Sequence, residues 1–334
     1  MVTVTYQELY RTFLDVLKRR GFSDERAEVC ARLFTETTLD GVFSHGVNRF
    51  PRFIRTIDAG LVDVHAEPEL VGRFGVLERW DGRRGPGNLN ARAAMNRAIE
   101  IAREHTIGCV ALANTNHWMR GGTYGYQAAE AGLAAICWTN TMPNLPPWGG
   151  REPRLGNNPL VVAVPGPEGP VVLDMALSQF SYGALESHRL RGEQLPVAGG
   201  YTEDGELTTD PAAIEQSGRP IPAGFWKGSG LSLLLDLLAA LLSGGKATHE
   251  IPDDPERESG VSQVFVAFDL AKLYPPEEMA RIVEDVLRFT REGAPATKGG
   301  RVYYPGERTK ERRERNSKEG IPVDEAIWES IRRL

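Results

Sequence analysis

The chain has 334 residues, enough for two domains or one large α/β body, and its 41% hydrophobic and 25% charged content excludes wholesale disorder. A formal net charge of −6 leaves no basic footprint for nucleic acid or an anionic membrane, so an anionic ligand has to be attracted by local cations. The opening Met1-Val-Thr-Val-Thr-Tyr6 lacks the basic and apolar regions of a signal peptide, which points to the cytosol.

Thr5-x-x-Glu8 is a capping box, and Tyr6, Leu9, Phe13 and Leu17 follow at helical spacing. Ser23 or Asp24 caps a second helix with Ala27, Cys30, Leu33 and Phe34 on one face; it fails at Gly41. A helix over 88–104 feeds a strand at 109–113, and a small-residue helix over 126–131 feeds another at 134–138. Strands at 160–164 and 171–173 flank the turn Pro165-Gly-Pro-Glu-Gly-Pro170. A Pro/Gly-rich stretch over 190–225 precedes an apolar helix over 231–242, read as buried and too short, with Asp236 inside, to be a membrane span. A strand at 264–268 and an amphipathic helix bearing Met279, Ile282, Val286 and Phe289 come next, and the mixed-sign charge run 307–319 reads as a solvated face. Interleaved strands and helices predict an α/β fold, a mixed sheet flanked by helices. The expected division is a helical, substrate-binding and dimerising part from 1–115 plus 275–334, with a cofactor lobe over 116–274.

GxGxxG, the Walker motif, HExxH and GxSxG are all absent, so a nicotinamide cofactor would need a cradle other than the Rossmann turn. Cys30, Cys109 and Cys137 lie far apart in apolar runs, the pattern of reduced core thiols, and no metal is expected.

Five segments carry candidate chemistry. Ser44-His45-Gly46 follows the second helix with Arg49 four residues on: an imidazolium can protonate a ketone oxygen as hydride arrives, and a guanidinium can clamp a carboxylate. The same residues also suit a turn histidine beside a surface arginine. Asn116-His117-Trp118-Met-Arg120-Gly-Gly122 lies at a strand end, where α/β sheets place ligands, although a capped loop with Trp118 as core filler reads the same way. Trp138-Thr-Asn140 with the turns around Gly149 and Gly156 is a weak phosphate signal. Asp174 ends a strand and suits ribose hydroxyls, and Lys227-Gly-Ser-Gly230 opens a helix in the manner of an anion site.

Together with Phe43 through Phe53, Phe180-Ser-Tyr-Gly183 and Gln194-Leu-Pro-Val197, these segments resemble the malate/L-lactate dehydrogenase-like oxidoreductases, which lack a Rossmann fingerprint, over nearly the whole chain. The resemblance implies a homodimeric enzyme of non-Rossmann nicotinamide-binding fold that reduces a small 2-keto acid, with His45 as proton donor. Arg49 would hold the substrate carboxylate, and His117 with Arg120 would polarise or orient the substrate. NAD, as NADH with NADPH left open, would lie on Pro170, Val171, Val172, Leu173, Asp174, Met175 and Ala176, on Trp226 and Lys227, and on Gly306, Glu307 and Arg308. The last segment departs from the family pattern at Glu307-Arg308. A sugar-derived keto acid is the first expectation. Malate, lactate, sulfolactate, ureidoglycolate and cyclic imino acids stay open, as does a catalytically silent nicotinamide-binding protein.

Overall fold

Thr5 opens the first helix by accepting the Glu8 N–H on its hydroxyl (3.2 Å), and Ser23 accepts from Arg26 at the start of the second. In the computed structural model, which describes residues 1–334, these are α1 (Tyr6–Arg19) and α2 (Asp24–Leu39), preceded by β1 (Val2–Val4). Gly41, at φ +75°, turns the chain into a single 3-10 turn over Phe43–His45 and then α3 (Phe50–Asp58). The hairpin β2 (Glu69–Phe74) and β3 (Leu77–Asp81) leads to α4 (Gly87–His105), β4 (Ile107–Thr115), α5 (Gly122–Glu130) and β5 (Ala134–Thr139). After β6 (Leu160–Val164) and β7 (Val171–Met175) comes a small excursion of α6 (Tyr182–Arg191), β8 (Gly200–Tyr201), β9 (Leu207–Thr208) and α7 (Pro211–Ser217). The chain finishes with α8 (Trp226–Ser243), β10 (Val261–Phe268), α9 (Pro276–Arg291), α10 (Glu307–Glu319), β11 (Ile321–Val323) and α11 (Glu325–Arg332).

Seven strands form one mixed sheet in the order β2-β3-β4-β10-β5-β6-β7, with β3 and β4 parallel and every other neighbour antiparallel. These pairings make β3, β4, β5 and β7 point the same way. Their carboxyl ends therefore share one edge of the sheet with the loops entering β6 and β10. That edge is where an α/β sheet presents ligand-binding groups.

One core is aromatic and built from the two ends of the chain: Phe13, Phe34 and Phe50 pack with centroids 4.2 to 5.9 Å apart, and Ile321, Val323 and Ile331 close it. The second packs the small residues of α4 and α5 (Ala91, Ala94, Ala98, Ala128) against one face of the sheet. On the opposite face Leu235 and Ala239 of α8 meet Trp138 and Val264.

Two expectations are corrected here, for α8 and for the charge run. The apolar helix α8 is docked on one side only; Leu234, Leu237, Leu238 and Leu241 remain exposed, because the sheet covers a narrow stripe of it. It is the one helix long and apolar enough to cross a membrane, yet its Asp236 is buried against the Asn140 amide (2.9 Å) and the Thr248 N–H. The amphipathic helix α9 buries none of its residues in this chain. The charge run is α10, and it is not wholly solvated: Asn316 and Glu307 are buried, and Arg313 pairs with Asp40 (2.6 Å) and with Glu36 of α2.

Candidate active site

The turn bearing His45 is locked to the end of α2. Thr38 Oγ1 accepts the Val47 N–H (3.0 Å), and Gly46 packs so tightly on Thr38 that a Cβ would collide with that hydroxyl. His45 is thereby held half-buried, its Nδ1 2.9 Å from Ser44 Oγ. Arg49 follows at the start of α3.

The opposing wall comes from the end of β4. The Asn116 amide donates to the carbonyls of Arg84 (2.8 Å) and Gly85 (3.0 Å), which curls the chain off the sheet. Met119, at φ +66°, then returns its N–H to His117 Nδ1 (3.0 Å). The two imidazoles face each other, centroids 5.8 Å apart and planes 19° off parallel. A cavity beside them is lined by Arg49, Arg52, Asn116, His117, Met119 and Glu258, among others.

Burial dominates the electrostatics. It pushes the His45 pKa down to about 4, with Arg49 and Arg120 adding to the effect. Burial, Arg49 and His45 together hold His117 well below the usual imidazole range. Both rings are therefore neutral at pH 7. Desolvation lowers Arg49 to about 10 against the opposing pull of Glu258, leaving it a cation.

The hydrogen bonds separate the roles of the two rings. His117 Nδ1 already accepts the Met119 N–H, so its proton sits on Nε2 and a second proton would break that bond. Ser44 can donate to His45 Nδ1 or accept from it, so His45 changes protonation state without losing its partner. His117 is thus a fixed neutral donor, and His45 the ring that can carry a proton.

Of the four residues read as catalytic, the structure brings His45, Arg49 and His117 together. Arg120 sits behind them: it is buried, paired with Asp40 and stacked 5.1 Å over Tyr126. Its side chain ties the end of α2 to the β4–α5 loop, and its Nε lies 3.9 Å from Asp174.

The three segments read as cofactor-binding converge on β7, an edge strand. Val172 N–H donates to Pro305 C=O (3.3 Å), and Gly306, at φ +93°, backs onto Val172, which sets residues 305–308 beside Pro170–Ala176. Ala223 N–H donates to Leu177 C=O (2.8 Å), which draws the start of α8 to the end of β7. Leu173 and Asp174 are exposed, and Asp174 Oδ2 accepts the Gly122 N–H (2.8 Å). Trp226 and Lys227 are also exposed, on a helix start that has no side-chain cap, although the Lys227 N–H donates to the Gly224 carbonyl (3.3 Å). Glu307 is buried, its carboxylate turned inward onto Arg291 (3.1 Å) and Arg301. Arg308 is exposed, with its guanidinium over Tyr303.

A family profile for malate/L-lactate dehydrogenases matches residues 4–332. The chain belongs to that family. It is accordingly an oxidoreductase acting on CH–OH groups, with a nicotinamide cofactor and a small-molecule substrate. It is 45% identical over 332 residues, 99% of both chains, to 2,3-diketo-L-gulonate reductase of Citrobacter koseri and equally to that of Klebsiella pneumoniae. Among solved structures it resembles sulfolactate dehydrogenase from Methanocaldococcus jannaschii (TM-score 0.91, 28% identity, 99% of this chain and 95% of that one). It also resembles delta1-piperideine-2-carboxylate reductase from Pseudomonas syringae (TM-score 0.86, 28% identity, 100% and 99%). The family's non-Rossmann sheet is the one described above.

Sequence reasoning missed Glu258, Arg52 and the contact of Gly183 with Ser44, where a Cβ would approach Ser44 Cβ to 2.5 Å. Arg52 and Arg55 share a helix face opposite the acidic stretch Asp253 to Glu258, and that charge complementarity was the available signal. Nothing local marked Glu258.

Proposed function

We propose that this enzyme reduces 2,3-diketo-L-gulonate or a closely related sugar-derived 2-keto acid to the 2-hydroxy acid with NADH. The observation that carries the reading is the facing pair His45 and His117, one free to change protonation and one not, with His117 lining the cavity that Arg49 also lines. Arg49 binds the substrate carboxylate through its fork of donors. His117 Nε2–H polarises the C-2 carbonyl, and His45 delivers the proton to its oxygen. When bound, the nicotinamide cofactor supplies the hydride. Residues Pro170–Ala176, Trp226, Lys227, Gly306 and Arg308 would hold it; the exposure of Leu173, Asp174, Trp226, Lys227 and Arg308 and the uncapped helix start fit a phosphate-bearing ligand. Arg120 acts as a positioning residue behind the site.

The identity to the diketogulonate reductases supports the sugar-derived substrate over its sister acids. The exposed leucines of α8 support a homodimer, and the reduced cysteines suit a cytosolic enzyme. We assign the helical part formed by both chain ends to substrate and the 116–274 part to cofactor, with the sheet shared between them. The test is a panel of 2-keto acids assayed for loss of NADH and NADPH absorbance. The hydroxylated sugar acid with NADH is expected to give the highest kcat/KM; a preference for a cyclic imino acid, or no oxidation with any of them, defeats the reading.

A further inference from the structure

We infer that Glu258 is a specificity-determining residue, a fixed negative charge beside Arg49 that admits monoanionic keto acids with hydroxylated tails and rejects dianionic ones. The inference rests on the 2-keto acid reading above and adds to it the class of substrate the cavity accepts. Glu258 lines the same cavity as Arg49 and His117, and its side chain is 9% exposed. Its Oε1 accepts the Met142 N–H (3.3 Å), while its Oε2 stands 3.6 Å from Arg49 Nη2, too far for a hydrogen bond. Arg49 therefore keeps its donors for a ligand carboxylate, and Glu258 keeps an oxygen that can accept from a ligand hydroxyl.

The remaining charges sharpen the argument. Arg52 is already paired with Glu256 (3.1 Å), and both imidazoles are neutral by burial. Arg49 and Glu258 are then left facing each other as a loose ion pair without a hydrogen bond, the two charges a ligand meets on the wall. A monoanionic ligand meets the cation with its carboxylate and the carboxylate with its hydroxyls. A ligand with a second anionic group sets that group against Glu258 in a poorly solvated space, where like charges repel with little screening.

Rejection requires that Glu258 cannot swing away, and its loop is pinned on both sides. Glu256 bridges Arg52 and Arg55, both at 3.0–3.1 Å, and the Gly260 N–H donates to the Thr115 carbonyl (2.9 Å). The hydrogen bond that Glu258 accepts from the Met142 N–H ties it further to the segment that follows β5.

The test compares hydroxypyruvate, a monoanion with a hydroxyl, with oxaloacetate, a dianion, using wild type, Glu258→Gln and Glu258→Asp. Gln keeps an oxygen for the Met142 N–H and removes only the charge. Wild type should favour hydroxypyruvate, and in Glu258→Gln the oxaloacetate-to-hydroxypyruvate ratio of kcat/KM should rise roughly 10- to 100-fold, the range that charge exclusion supplies. Glu258→Asp, which retains the charge, should stay near wild type. Calorimetric Kd values for glycerate and malate on the NAD-loaded protein read the same ratio without turnover. A ratio unchanged in Glu258→Gln by both measures, or a wild type that favours the dianion, overturns the filter. A wild type inert on every keto acid but selective in Kd overturns the reductase reading and leaves the filter standing.

Discussion

At the residue scale, the two histidines do different work because one is tied to a backbone N–H and the other to a hydroxyl that can reverse. His45→Asn is expected to lower kcat for reduction by about 10²–10⁴-fold, the usual contribution of a general acid, with the NADH dissociation constant little changed. His117→Asn removes one neutral hydrogen bond and should cost only about 3–10-fold, the equivalent of roughly 0.5–1.5 kcal/mol. Equal losses in the two variants would erase the distinction. The depressed His45 pKa of about 4 has a direct sign consequence. Free enzyme carries the neutral ring at pH 7, which suits oxidation of a hydroxy acid, whereas reduction needs a proton brought in with the substrate. A bound carboxylate raises the pKa, so oxamate binding to the NADH-loaded protein should take up a proton. Calorimetry in two buffers of different ionisation enthalpy measures this; zero uptake between pH 6 and 7 contradicts it. The same depression makes the fold acid-sensitive. The unfolded chain binds the proton more readily, so the stability contributed by a neutral His45 is complete above about pH 6.5 and is lost as pH falls towards 4.

At the element scale, what was legible followed from how much of an element the chain itself buries. The central strands β4, β5, β6 and β10 were readable as apolar runs because both faces are covered. The hairpin β2–β3 escaped notice because its outer strand is exposed almost throughout and shows no alternation. The helix α8 was taken as buried because its leucines run nearly all round it, a pattern equally made by a helix covered on its second side by something outside this chain. The positioning of His117 depends on a helix start that sequence gave no reason to single out. Gly87 begins α4 with its Cα pressed against the carbonyls of Asn116 and His117, so an added Cβ would overlap both. Alanine normally favours a helix over glycine by up to about 1 kcal/mol. Here Gly87→Ala is expected to destabilise by about 1–3 kcal/mol, as overpacking does, and to reduce kcat by displacing the His117 turn. Thermal denaturation and kinetics together check it; a stabilised variant of full activity would show that the turn accommodates the methyl freely.

At the scale of the whole molecule, the sequence motifs marked Phe43–Phe53, Asn116–Gly122 and Trp226–Gly230 as chemistry, but only the strand order explains how they meet. The carboxyl ends of β4, β5 and β7 share one sheet edge, and the turn after α2 faces them from the helical core. Neither periodicity nor spacing encodes that order, because pairing between distant strands leaves no local mark. The same global view motivates the last prediction. Leu234, Leu237, Leu238 and Leu241 follow helical spacing along the outer side of α8 and are 44–68% exposed, an apolar stripe on a helix already fixed to the sheet by Leu235 and Ala239. The exposed Ile282, Val286 and Phe289 of α9 add a second uncovered face. Stripes of this kind on a soluble protein mark association surfaces, and a second copy of the chain is the expected occupant of the first. Sedimentation equilibrium should give twice the 36.8 kDa chain mass. Leu238→Arg with Leu241→Arg should return a folded monomer, because both side chains are open in the single chain and their replacement disturbs no internal packing. Far-UV circular dichroism separates that outcome from unfolding. A wild type that sediments as a monomer, or a doubly substituted chain that remains a dimer, would move the interface away from α8, and Phe289→Arg would then test the α9 face.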